Sequence, residues 1–187
     1  MGRTSFNIPG HSHFLTFSCW KRRPFLTDRH TCSEFTKALD KARRVEQFDI
    51  WAYVLMPEHV HLLIRPRSES DAMADILRRI KEAFSRDILH DWRRCRPRQL
   101  IECADTRCNP VRYRFWQPGG GFDRNLWSHG IIRNAVTYIE ANPIRRGLVG
   151  DSLDWERSSA RSRNGRPDVP LVIDPISWES MPIAADA

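Results

Sequence analysis

The stretch FDIWAYVLMPEHVHLLI, from Phe48 to Ile64, is apolar almost throughout and is broken only by Pro57-Glu58. Each half is too short for a typical helix and rich in β-branched and aromatic residues. It therefore reads as two strands, Phe48 to Met56 and His59 to Ile64, joined by a tight connection, with Pro66 stopping the second. A sheet built around this hairpin is the expected centre of the fold.

The flanking segments supply what pairs with that sheet and covers it. His13 to Trp20 (HFLTFSCW) reads as a first strand, ended by the basic turn Lys21-Arg22-Arg23-Pro24. From about Thr31 to Val45, Phe35, Leu39 and Ala42 recur at helical spacing. Between Ser70 and Trp92, Met73, Leu77, Ile80, Phe84, Ile88 and Trp92 mark the longest amphipathic helix, whose other face carries Arg78, Arg79, Lys81 and Arg86. Residues 93–121 read as a long loop with one strand near Tyr113 to Trp116, and Gly119-Gly120-Gly121 as a flexible joint. A last helix runs from about Ser128 to Ala141, with Asn142-Pro143 as its stop.

This order predicts an α/β (α+β) sandwich, a ferredoxin-like antiparallel sheet with helices packed on one face. The 187 residues suit one catalytic domain, placed at 1–150. Residues 151–187 are expected as an extension partly packed on it, anchored by Trp155, Val172 and Trp178.

Composition narrows the function classes. Lys and Arg total 30 against 23 acidic residues, a formal charge of +7, and most of the excess is arginine, whose planar fork suits phosphate. A nucleic-acid partner fits that balance. The five cysteines are odd in number and contain no C-x-x-C pair, so neither a disulfide framework nor an ordinary zinc ribbon is indicated. His90, Cys95, Cys103 and Cys108 are irregularly spaced for zinc, and metal binding by Cys95, Cys103 and Cys108 is left open. With a polar N-terminus and no apolar run of about 18 residues, the expected location is the cytoplasm, nucleoid-associated and of bacterial type, with no membrane partner.

Two local patterns carry chemistry. In His59-Val60-His61 strand alternation sends both imidazoles to one face, where they can converge on an ion. By affinity such a pair favours manganese, cobalt or zinc, while availability leaves magnesium as a working ion. Glu58, just before the pair, is either a supporting or turn residue or plain surface. On the last helix Tyr138 and Asn142 are four residues apart and share a face. A phenol beside a phosphate-polarising metal can attack phosphorus, and the Asn142 carbonyl can complete the metal's shell. Of the other tyrosines, Tyr53 lies in an apolar strand and packs, whereas Tyr113, flanked by arginines, is placed to stack on a base.

Four stretches, HFLTFSCWKRRPFL, WAYVLMPEHVHLLIRP, RFWQPGGGFDRNL and AVTYIEANPIRRGLV followed by DWERSSARS, together resemble the REP-associated tyrosine transposases. These are a branch of the single-tyrosine HUH transposases, named for a histidine, bulky apolar residue, histidine motif. The resemblance spans roughly residues 11–162 and is most specific where PEHVHLLI precedes YIEANPIRRGLV. It implies a ferredoxin-like HUH fold with the histidines on a central strand and the tyrosine on a facing helix. It also implies a divalent metal (Mg2+ or Mn2+) on His59, His61 and Asn142, and Tyr138 as the nucleophile.

The implied activity is metal-dependent nicking and strand transfer of single-stranded DNA near imperfect palindromes or hairpins, through a 5′-phosphotyrosine intermediate, by a monomer or homodimer. Lys81, Arg112, Arg114 and Arg124 are the expected phosphate contacts, with Phe115 and Trp116 as stacking platforms. The stretch Arg93 to Asn109 is longer and more cysteine-rich than the family pattern, and GGG replaces an aromatic-containing sequence after WQP. Two rival readings are a catalytically inactive hairpin-binding protein and a metal-dependent phosphodiesterase using water.

Overall fold

The computed structural model describes residue 8 and residues 10–68 and 73–178. In chain order these hold β1 (Ser12–Ser18), α1 (Arg29–Val45), β2 (Phe48–Met56), β3 (His59–Pro66) and α2 (Met73–Cys95). There follow α3 (Pro97–Glu102), β4 (Ala104–Asp105), β5 (Arg112–Tyr113), β6 (Phe122–Leu126), α4 (His129–Glu140), α5 (Asn142–Arg145) and α6 (Ala160–Arg163).

Four strands form one sheet in the order β2-β3-β1-β6, every neighbouring pair antiparallel. This is the ferredoxin-like sandwich expected from the hairpin. Pro57 and Glu58 form the tight connection, and Met56 pairs with His59 directly across it. α1 starts at Asp28, whose side chain accepts from the Thr31 amide at 3.0 Å and its hydroxyl at 2.7 Å, satisfying one of the donors left open at a helix start.

The sheet is apolar on both faces, and each face has its own cover. Leu15, Phe17, Val60, Leu62 and Ile64 point to one side, against Phe35 and Leu39 of α1 and Ile80, Phe84 and Ile88 of α2. Trp51, Val54, Met56 and Leu63 point to the other, against Ile132, Val136 and Ile139 of α4. This corrects the expectation of helices on one face. β2 has inward-facing residues on both sides, and α4 presents an i, i+4, i+7 apolar stripe to bury against the second.

Two further expectations fail in the region after α2. The fourth sheet strand is β6 and not Tyr113 to Trp116. As an edge strand β6 buries only Leu126 fully, so its sequence FDRNL carries little apolar signal. β5 pairs only with β4, and Trp116 makes a single bridge to Cys19. Residues 97–102 form a helix, because Pro97 stands at its start, where a missing N–H costs nothing.

The chain beyond α5 returns to the sheet. The Leu55 amide donates to the Arg157 carbonyl at 2.8 Å, the Tyr53 amide to Ser159 Oγ at 3.1 Å and the Ser159 amide to the Tyr53 carbonyl at 2.9 Å, so residues 157–159 cover the free edge of β2. The Trp155 indole donates to the Leu55 carbonyl at 3.0 Å. Of the proposed anchors, Trp155 and Trp178 pack beside the α4 core, whereas Val172 is exposed and its neighbour Leu171 is the buried residue.

Candidate active site

Strand parity determines where the histidines go. On β3, His59 and His61 share the face of Leu63, the face that α4 covers, while Val60 and Leu62 enter the opposite core. Both imidazoles are buried, their Nε2 atoms lie 3.0 Å apart and their rings meet edge to face at 4.6 Å. Each Nδ1 has its own partner: Thr16 Oγ1 at 2.7 Å from His61, brought directly opposite by the β1–β3 register, and Glu58 Oε1 at 3.2 Å from His59.

Burial lowers the pKa of His59 against the pull of Glu58, and burial with the adjacent His59 pushes His61 down to about 3, so both rings are neutral at ordinary pH. Burial would raise the Glu58 pKa, but His59 and the Arg146 guanidinium hold its carboxyl below its ordinary value. An ionised Glu58 fixes the proton of His59 on Nδ1 and leaves its Nε2 as a bare acceptor. On its own the pair is satisfied if His61 Nε2–H donates to His59 and the Thr16 hydroxyl donates to His61 Nδ1. Moving the His61 proton to Nδ1, with Thr16 accepting, turns both Nε2 lone pairs toward the same point. Two nitrogens each about 2.1 Å from one ion at a right angle lie about 3.0 Å apart, so the pair fits a shared metal.

The remaining cleft wall comes from the α4–α5 junction. Tyr138 and Asn142, one helical turn apart, line a cleft of about 380 Å³ with Thr16, His59, His61, Arg22, Arg145 and Arg146. The Tyr138 ring meets the His61 ring edge to face at 5.6 Å and Phe14 at 5.9 Å, and is 37% exposed, so solvent reaches it. Arg145 lies over the Tyr138 ring, its guanidinium carbon 4.9 Å from the centroid. Arg146 donates to Glu58 at 3.0 Å and Arg22 approaches the same oxygen at 3.5 Å. Among the described residues no group of three or more His, Cys, Asp or Glu is placed to hold a metal. Asn142, which carries a neutral side-chain oxygen, lines the same cleft as the histidine pair.

Four of these residues, His59, His61, Tyr138 and Asn142, were legible as candidates in the sequence. Thr16, Arg145 and Arg146 were not. Thr16 acquires meaning only through the register that sets it opposite His61, whereas the Arg145-Arg146 pair, one residue beyond Asn142-Pro143, was a visible signal. Glu58 sits in the turn, where alternation does not apply, and so reaches His59 despite its odd position.

The other expected contacts scatter. Phe115 and Trp116 are corrected: they lie in the core among Phe17, Phe25, Phe35 and Phe84 and offer no stacking surface. Arg114 is tied to Asp105 at 2.7 Å, a carboxylate that Arg107 also engages. Lys81 projects from α2 on the other side of the sheet and donates to the Gly119 carbonyl at 2.7 Å, holding the glycine loop. Arg112 is exposed on β5. Arg124 is exposed on β6 and pairs with Phe14, which puts it on the face of the cleft. Tyr53 is buried, donating to the Leu171 carbonyl at 3.4 Å, and Tyr113 is exposed with Arg93 over its ring. A larger groove of about 540 Å³ between α1 and α2, on the opposite side, is lined by mixed charges and contains none of the cleft residues.

A buried histidine pair on a central strand, faced by a tyrosine helix across an antiparallel sheet, defines a class. A family model described as "Transposase IS200 like" matches residues 10–102. The chain is also similar to REP-associated tyrosine transposases. A Haemophilus influenzae protein of that group is 28% identical over 92% of this chain and 90% of its own length. The REP-associated tyrosine transposase of Escherichia coli K12 is 26% identical over 92% and 87%. The fold is similar to the structure of a REP-associated tyrosine transposase bound to a REP hairpin, with a TM-score of 0.66 and 21% identity over all of this chain and 99% of the other. No helix among the described residues is long and apolar enough to cross a membrane.

Proposed function

We propose that the chain nicks and rejoins single-stranded DNA beside hairpins, with Tyr138 as nucleophile and a divalent ion, Mg2+ or Mn2+, held by His59, His61 and Asn142. The observation that carries this reading is the Tyr138 ring seated 5.6 Å from the His61 ring in one solvent-open cleft. The ion would supply polarisation of a phosphate oxygen. Tyr138 would form a bond from its phenol oxygen to phosphorus as the bond to the 3′-oxygen breaks. The phenol proton passes through solvent to that leaving oxygen, and the 5′ end stays on the protein. Reversal by another 3′-hydroxyl joins strands, with no nucleotide cofactor because one phosphoester replaces another.

His59 and His61 serve this role as neutral ligands, oriented by Glu58 and Thr16 through their other ring nitrogens. A hairpin as partner is supported by the relatives of the group and by the hairpin bound to the protein of similar fold. The test is a labelled hairpin oligonucleotide incubated with Mn2+ and run on a denaturing gel. A protein–DNA adduct absent from Tyr138→Phe is expected. Cleavage without an adduct would point to a water-using phosphodiesterase, and a shift without cleavage to a binding protein.

A further inference from the structure

Three of the eight residues lining the cleft are arginines, and they are not equivalent. Arg22 and Arg146 share the Glu58 carboxylate. Arg145 makes no ion pair among the described residues; its guanidinium lies over the face of the Tyr138 ring and is exposed on its outer side. The two ion-paired arginines are spent on holding the support of His59. The third carries a free positive charge at the nucleophile.

We propose that Arg145 is a catalytic residue that grips the phosphate attacked by Tyr138, an assignment that rests on the nicking reading above. A phosphorus atom in line for attack stands about 3–3.5 Å from the phenol oxygen. A guanidinium stacked on the same ring is then within reach of the non-bridging oxygens, to which its fork can donate in pairs. Those oxygens gain negative charge as the fifth bond to phosphorus forms, so the contact strengthens toward the transition state. The same stack orients the ring. Short helix α5 makes both possible, since three- and four-residue spacing sets Asn142, Arg145 and Arg146 on one side, toward the cleft.

The test separates a phosphate contact from a prop for the ring. Single-turnover adduct formation with Mn2+ is measured for the full chain, Arg145→Ala and Arg145→Lys. Each is run on a hairpin oligonucleotide with an ordinary diester at the cleaved position and on one with an uncharged methylphosphonate there. Arg145→Ala is expected to lose about 100-fold on the diester and far less on the methylphosphonate, with Arg145→Lys intermediate. Added guanidinium ion should restore part of the rate to Arg145→Ala and none to Tyr138→Phe.

Equal losses on both substrates, or no loss on the diester, overturn the assignment. If the neutral substrate does not react even with the unaltered chain, failure of guanidinium rescue overturns it. Absence of any Tyr138-dependent adduct from the unaltered chain overturns the nicking reading, and Arg145 with it. Retention of that adduct alongside equal losses leaves the reading intact and rejects Arg145 alone.

Discussion

At Gly121 the loop entering β6 runs close against β1. Its φ is +80°, and a methyl group added there would sit 2.2 Å from the backbone carbonyl oxygen of Thr16, far inside a contact distance of roughly 3.5 Å. The neighbour is backbone in a central strand and cannot step aside without disturbing its pairing. Gly121→Ala is therefore expected to cost about 1–2 kcal/mol for the left-handed backbone and about 1–3 kcal/mol for the overlap. Together this is roughly 2–5 kcal/mol, a fall in Tm of roughly 5–15 °C for a chain of this size. Gly120, with no heavy atom within 4 Å of an added methyl, is the control and should change little. Urea unfolding of both variants measures the difference. A Gly121→Ala protein within about 0.5 kcal/mol of the unaltered chain would show that the loop does not approach Thr16 as described.

The remaining predictions concern the cleft and the helix behind it. Thr16→Val removes the partner of His61 Nδ1 and should weaken Mn2+ binding by about 10–100-fold, read by calorimetric titration, with little effect on unfolding; unchanged affinity would show that the Thr16 hydroxyl does not orient the His61 ring for the ion. In chelator, His61 stays neutral down to about pH 3 while the unfolded chain takes up a proton near its ordinary value of about 6.5. Its contribution to stability is thus present above that value and lost as pH falls toward 3, by up to about 1.4 kcal/mol per pH unit. His61→Gln should flatten that part of the urea-derived stability profile, and an identical slope would contradict the buried neutral ring. Glu140→Ala deletes the acceptor for Ser159 at 2.6 Å and Arg163 at 2.9 Å and should cost about 1–3 kcal/mol in urea.

What the sequence disclosed followed from periodicity. The β2–β3 hairpin and α2 could be read because their apolar residues recur every second or every third and fourth position. Alternation alone placed His59 and His61 on one face, and helical spacing alone stacked Asn142 under Tyr138. β6 escaped because an edge strand in water needs few apolar residues. The aromatic pair Phe115-Trp116 misled for the opposite reason: arginines at 112 and 114 suggest an exposed surface, yet the rings turn inward to fill the space beneath α1 and α2. Thr16 belongs to a third kind. It is chemically ordinary in its own segment, and only the docking of a strand distant in sequence gives it a partner.

The helix bearing Tyr138 is fastened from outside at both ends by the last part of the chain. At one end Trp178 lies under Arg133 and accepts from His129 through its carbonyl; at the other Ser159 and Arg163 grip Glu140. The aim of Tyr138, the proposed nucleophile, thus depends on residues well downstream of it. If this helix were ever lent to a second copy of the chain, residues 129–178 would have to travel as one piece.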